Sequence, residues 1–168
     1  MKAIGLTKFG PPDVLTVLKL PKPTPQPKDI LVQIKAISTN PLDTKVRIGR
    51  KGGEVSDNKP WIPGYDASGI VVETGSQVTK FKKGDEVYYS GVISRPGTYA
   101  HFNTVDERLA ARKPKSLDWA QSAALPLVSL TAWEGLVDRM DLPPNRNYNR
   151  GYTLLIVAGA GGMGSMSV

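Results

Sequence analysis

The sequence predicts a mainly β chain with some helix: an all-β module, a bridging helix, and then the opening strand and Gly-rich turn of an α/β nucleotide-binding unit. Three observations predict it. Short apolar runs, alternating or β-branched and punctuated by Gly, Pro and Asp, fill the first two thirds, the pattern of a barrel or sandwich. Past Ser116 the apolar spacing becomes helical. Finally, Tyr152–Val168 runs from a continuous apolar stretch into Gly159-Ala160-Gly161-Gly162-Met163-Gly164, the G-x-G-x-x-G spacing that follows a parallel strand in dinucleotide sites.

Along the β module, Met1–Leu6 and Leu15–Leu20 read as two strands around the turn Phe9-Gly10-Pro11-Pro12, and the prolines of 21–27 make an extended connector. Ile30, Val32, Ile34 and Ala36 alternate with Leu31, Gln33 and Lys35, a strand with one face in a core. Pro41–Ile48 is expected to form a short helix, and the Gly-rich polar stretch Gly49–Pro60 an exposed loop. Ile70-Val71-Val72 and Phe81–Tyr89 supply further strands around Gly75-Ser76 and Gly84-Asp85.

The helical part begins at Ser116, a candidate N-cap for Leu117–Gln121. A longer helix is expected from Pro126, in its first turn, to Met140, with Trp133 and Leu136 in its core face. Asp141–Gly151 is a Pro- and Asn-rich loop. The implied divisions are 1–125 for the β module, 126–151 for the bridging helix and loop, and 152–168 for the start of the nucleotide-binding domain.

Thr153–Ala158 is expected to be a central parallel strand. Gly159 then permits the tight turn, Gly161 lets backbone N–H groups approach a pyrophosphate, and Gly164 allows the next helix to pack on the strand. Only Ser165-Met166-Ser167-Val168 follow, too few to nucleate a helix, and the acidic ribose ligand expected about 20 positions on is not among them. The apolar residues 154–157 are expected to present an exposed, unpaired strand, an edge available for homodimerisation or other association. A Gly-rich turn also serves as a plain linker, so the motif does not decide function alone.

Composition narrows the function classes. No run of eighteen apolar residues suits a membrane span, and Met1–Gly5 has no signal-type apolar region, so a cytoplasmic location is expected. The sequence has no Cys and one His, which excludes disulfides, thiolate nucleophiles, Cys-ligated zinc and a three-His metal centre. The net charge is +7, yet Lys and Arg are scattered without a basic run, so nucleic acid is not an expected partner.

Five segments in order then resemble the medium-chain dehydrogenase/reductase superfamily, in particular its zinc-free quinone oxidoreductase branch. They are Ile37–Lys45 (ISTNPLDTK), Pro63–Val71 (PGYDASGIV), Phe81–Val87, Ala124–Trp133 (ALPLVSLTAW) and Ala160–Gly164. Val105–Arg108 (VDER) and Arg95–Thr98 (RPGT) look like the subgroup called zinc-type alcohol dehydrogenase-like. The resemblance implies a GroES-like β-barrel followed by a Rossmann domain, with this sequence as the N-terminal half. It implies hydride transfer from NADPH, or NADH, to a quinone, an enone or another carbonyl compound. As an isolated fragment the chain is expected to be inactive and not to retain the cofactor. The alternatives are a GroES-like barrel acting as a binding module, and an inactive remnant.

In zinc-dependent relatives the positions matching Asn40, Tyr65 and Leu127 are Cys, His and Cys; no metal is therefore expected here. The resemblance makes Asn40, Asp43 and Tyr65 the candidate catalytic residues, with Asn40 donating to a substrate carbonyl and Tyr65 lining its pocket. Thr131 matches a position at the nicotinamide end, and Gly159 to Gly164, including Ala160, Gly162 and Met163, would bind the dinucleotide. Read without the resemblance, Asn40 before a Pro and Asp43 after it are turn and helix-start residues, and Tyr65 is a packing residue with a satisfied hydroxyl. His101 stands where the family often has Glu and is given no role.

Overall fold

The computed structural model describes residues 1–49, 55–145 and 147–168. It divides into two compact units, Met1–Ala124 and Leu125–Val168. Residues 50–54 of the expected Gly-rich loop lie outside the described residues; the part that follows them carries a bridge between Ser56 and Lys59.

Among the described residues the first unit holds seven strands. β1 (Lys2–Gly5) and β2 (Thr16–Lys19) form an antiparallel ribbon. β3 (Asp29–Ser38), β4 (Asp66–Thr74), β5 (Glu86–Ser90), β6 (Phe102–Asp106) and β7 (Ala110–Arg112) form one sheet in the order β6-β3-β4-β5-β7, every neighbour antiparallel. The ribbon is tied to the segment just before β6, where Ile4 N–H donates to Tyr99 O at 2.7 Å and His101 N–H to Lys2 O at 3.1 Å. Sequence patterning missed β6 and β7, both short. His101 occupies the bend just before β6.

One face of this sheet packs Ile30, Val32, Ala67, Val71, Val87, Tyr89 and Val105 into a continuous core. Each fully buried aliphatic side chain contributes about 1.5–3 kcal/mol of transfer free energy. The alternating burial expected for β3 does not hold at its start: Ile30, Leu31 and Val32 are all buried. Ile30 and Val32 still share the core cluster, which Leu31 does not join, so the side-chain alternation persists and the opposite face is covered at Leu31 as well; the register shift beside it skips Val72 of β4. A second shift, between Ile34 and Ala36, leaves Lys35 of β3 without a partner on β4.

α1 (Pro41–Arg47) forms as expected. Ser116 is not the cap of the next helix: α2 runs Trp119–Ala123, with the Asp118 carboxylate accepting from Gln121 N–H at 2.7 Å and Gln121 Oε1 accepting from Asp118 N–H at 3.1 Å. This reciprocal pair outcompetes a lone Ser.

In the second unit the expected long helix is α3 (Pro126–Trp133), continued by a π-helical turn over Glu134–Arg139 that closes with Met140 N–H on Gly135 O at 3.2 Å. Trp133 is 53% exposed and does not belong to a core. Two expectations at the end of the sequence are corrected. Thr153–Ala158 is not a strand: it finds no ladder partner among the described residues, and Leu155 and Val157 are largely exposed. A strand is defined by its neighbour's hydrogen bonds, so apolar patterning alone cannot create one. Conversely, a helix does follow the glycines, α4 (Gly162–Ser167). Its nucleation cost is offset by tertiary packing, since Gly162 lies against Val128 of α3 and Met163 reaches Gly135. Among the described residues no helix is long and apolar enough to cross a membrane.

Candidate active site

The site in the first unit is built where three chain segments meet: the exit of β3, the entry to β4, and the stretch before β6. Asn40 caps α1 in extended backbone geometry, with Pro41 opening the helix. Its side chain takes no part in capping. Asn40 Nδ2 donates to Asp66 Oδ2 at 2.9 Å, while the Asp43 N–H is satisfied by the Asn40 carbonyl at 3.0 Å. The Asp43 carboxylate holds the other side of the residue: its Oδ2 accepts the Asn40 backbone N–H at 2.6 Å. Asn40 is thus held through its backbone by Asp43 and through its amide by Asp66.

Asp43 is buried, and its Oδ1 has no hydrogen-bond partner among the described residues. Burial raises its pKa above the usual carboxylate value, opposed by the Asn40 N–H, the facing Tyr99 hydroxyl and the Gly64 backbone. Tyr65 is also buried, and its hydroxyl too lacks a partner. Burial first, and the Asp43 charge second, push that phenol up to about 12. It therefore stays protonated across the physiological range.

Gly64 makes this convergence possible. Its φ of +100° suits glycine, and a Cβ there would sit 2.3 Å from the Tyr99 ring and 2.5 Å from Thr98 Oγ1. The two segments are laced together by Thr98 N–H to Gly64 O at 3.1 Å and Tyr99 N–H to Pro63 O at 3.0 Å. Thr98 Oγ1 donates to the Asp66 carbonyl at 3.1 Å, fixing the backbone of the residue that holds Asn40. Beside Asp43 and Tyr99 a cavity of about 200 Å³ opens, bounded also by Arg47 and Pro63.

Asn40, Asp43 and Tyr65 are therefore brought to one place, as the sequence reading grouped them. That reading missed the parts played by Asp66, Thr98 and Tyr99. A Gly directly before Tyr65 was a signal for close backbone approach at this point; nothing local marks Tyr99, whose partner lies 56 positions earlier in the chain.

In the second unit, Thr131 is exposed and its hydroxyl bonds back to Leu127 O at 2.8 Å, leaving its oxygen lone pairs for any other contact. The glycine turn shows two kinds of glycine. A Cβ on Gly164 would meet Ala158 O at 2.4 Å and Gly159 Cα at 2.7 Å, so α4 closes on the turn only because that side chain is missing. Cβ atoms on Gly159 and Gly161 would meet nothing nearer than 3.6 Å and 3.3 Å. Their bareness serves no internal packing and leaves the turn's backbone open, which fits a pyrophosphate approaching it.

Zinc does not fit. At the three positions where the resemblance would put ligands stand an amide, a phenol kept protonated and an alkyl chain, from Asn40, Tyr65 and Leu127. Among the described residues no group of three or more His, Cys, Asp or Glu side chains is placed to hold a metal.

An antiparallel β unit followed in the chain by a glycine turn, with polar side chains gathered at the exit of β3, defines an alcohol dehydrogenase-type GroES-like protein. Residues 26–115 match the alcohol dehydrogenase GroES-like domain, and the chain belongs to that family, within the medium-chain dehydrogenase/reductases. It is 37% identical, over its whole length, to 43% of the NADPH-dependent alkenal/one oxidoreductase of Arabidopsis thaliana chloroplasts. A putative zinc-dependent alcohol dehydrogenase from Rhizobium etli superposes with a TM-score of 0.88 at 50% identity, over all of this chain and 48% of that one. The quinone oxidoreductase from Coxiella burnetii superposes with a TM-score of 0.81 at 32% identity, over 99% of this chain and 51% of that one. The chain spans about half the length of these relatives.

Proposed function

We propose that the chain carries the substrate-side donors, and the opening of the nucleotide turn, of a zinc-free reductase that uses NADPH, or less favourably NADH, to reduce quinones, enones or other activated carbonyl compounds. The observation that carries this reading is the Asn40 amide. One of its N–H groups is committed to Asp66, and the other has no protein partner among the described residues.

When bound, the dinucleotide supplies the hydride. Asn40 donates its second N–H to the substrate oxygen, where negative charge develops, and a fixed donor at that point lowers the barrier without a Lewis acid. Tyr65, held as a phenol, is the second hydrogen-bond donor in the first unit, and the proton that completes the reduction comes from solvent. Thr131 and the backbone of Gly159, Ala160, Gly161, Gly162, Met163 and Gly164 contact the cofactor. The names of the Arabidopsis and Coxiella relatives support this choice of cofactor and acceptor.

The test is NADPH oxidation, followed by loss of absorbance with a quinone and with an enone acceptor. A chain extended through a complete nucleotide-binding domain is expected to turn over with at least one of them, and the 168-residue chain with neither. In the extended chain, Asn40→Ala is expected to lower kcat by roughly 100-fold or more, as loss of one oxyanion donor does. Failure of the extended chain with every acceptor of both classes would sink the proposal.

A further inference from the structure

The geometry points to Asp66 as the residue that sets the direction of the Asn40 amide, with Asp43 as its backbone counterpart; neither is a proton-transfer group. This rests on the reading of Asn40 as the oxyanion donor and assigns the two acids the task of positioning it. An Asn side chain has two nearly isosteric ends, an acceptor and a donor, and packing alone discriminates poorly between them. Here chemistry decides. Asn40 Nδ2 lies 2.9 Å from Asp66 Oδ2 as the donor, and an ionised Asp66, which accepts only, selects the NH₂ end over the carbonyl. A flipped amide would set a carbonyl oxygen against a carboxylate.

Asp66 is well suited to the task. It is fully buried at the first position of β4, paired across the sheet with Ser38 on β3 and Ser90 on β5, and its carbonyl is held by Thr98. Two strands and a side chain thus fix its backbone, and the carboxylate inherits that rigidity. Asn40 sits at the end of a strand, where freedom is greater, and takes its order from two acids: the Asp43 carboxylate 2.6 Å from its backbone nitrogen and the Asp66 carboxylate 2.9 Å from its amide. Donation of one amide N–H to a carboxylate also fixes the plane in which the second N–H points. The direction of that second N–H is the one catalysis would use. Asp43, grouped above with the catalytic candidates, spends Oδ2 on the Asn40 backbone and in this reading touches no reacting atom.

The experiment uses side-chain amide NMR on the 168-residue chain, with Asp66→Asn and Asp66→Leu, and Asn40→Asp to assign the resonance. The Asn40 NH₂ pair is expected to show one proton displaced well beyond the ordinary pattern of exposed Asn side chains, that carboxylate-bound proton exchanging with solvent at least tenfold more slowly than the other. Asp66→Asn, whose carbonyl oxygen still accepts, is expected to keep the displacement; Asp66→Leu is expected to return the pair to the pattern of an exposed Asn while backbone signals of β3 and β5 remain dispersed. An ordinary exposed-Asn pattern with both protons exchanging fast in the unaltered chain would overturn the assignment. So would a signature that survives Asp66→Leu in a folded protein. If that variant loses backbone dispersion, the unaltered chain against Asp66→Asn decides, because a rigid pair must be present in both. The outcome is independent of turnover: an intact signature in a protein that oxidises no NADPH would leave the clamp standing and remove the proposed function.

Discussion

Tyr89 donates its hydroxyl to Asn103 Oδ1 at 3.1 Å in the interior of the sheet, and Asn103 passes both of its own N–H bonds to the carbonyls of Pro96, at 2.9 Å, and Gly97, at 3.1 Å. A fully buried phenol on β5 thereby orients the side chain on β6 that pins the 96–97 turn. That turn leads directly into Thr98 and Tyr99, so a core hydrogen bond supports the candidate site at one remove.

Tyr89→Phe should therefore leave the ring packing intact and leave Asn103 Oδ1 buried without a donor. The expected cost is about 1–3 kcal/mol, the desolvation penalty of an unsatisfied group. Urea denaturation should show a lower midpoint with an unchanged m-value; an unchanged midpoint would mean that water replaces the hydroxyl.

Gly64→Ala combines a backbone penalty with a collision against the Tyr99 ring. A left-handed backbone costs a non-glycine residue about 1 kcal/mol or more, and overpacking adds about 1–3. The variant should be destabilised by about 2–4 kcal/mol. Gly84→Ala has the same sign of φ, +94°, but nothing within 4 Å of the new Cβ, and should lose only the backbone part. Equal losses in the two variants would refute the collision.

Ion pairs should divide by burial. Arg95 grips Asp29 through two nitrogens, at 3.0 and 2.5 Å, and Asp29 is 3% exposed. Arg95→Met strands a buried carboxylate, with an expected loss of about 3 kcal/mol. Arg108 pairs with Asp106 at 2.7 Å on the surface; Arg108→Met should not shift the thermal midpoint measurably, because solvent and salt screen such pairs.

Two acids should give pH dependences of opposite sign. Burial raises the Asp43 pKa in the fold, so the native state binds its proton more tightly than the unfolded chain. Its contribution is most favourable below the ordinary Asp value of 3.8 and is lost as pH rises through the folded value. The stability of the protein relative to Asp43→Asn should thus fall as pH rises from the ordinary Asp value of 3.8 through the raised folded value. Glu107 behaves in reverse. Its carboxylate accepts from Lys80 N–H at 2.7 Å and Thr79 N–H at 2.9 Å, which lower its pKa. Its advantage over Glu107→Gln should be full above pH 4.5 and vanish as pH drops through the lowered value. Parallel pH curves for either pair of proteins would contradict the corresponding assignment.

Much of this was readable in one dimension. The two-residue period of β3, the Asn-Pro start of α1 and the glycine spacing of 159–164 are local properties, and local sterics enforce them wherever the segment folds. The grouping of Asn40, Asp43 and Tyr65 came from family resemblance, since turn chemistry alone explained Asn40 and Asp43, and packing explained Tyr65. Tertiary structure alone decided the rest. Leu31 is buried although it alternates with Ile30 and Val32, because the second face of β3 is covered too, which no period-two pattern announces. Residues 153–158 carry a strand's composition without a strand's hydrogen bonds, because pairing needs a neighbour that no local pattern supplies. α4 forms although it is short, because α3 lies against it. The direction of the Asn40 amide depends on Asp66, 26 residues away. Local covalent geometry writes periodicity and turns into the sequence, whereas a hydrogen bond between distant residues exists only once the sheet has brought β3 and β4 side by side.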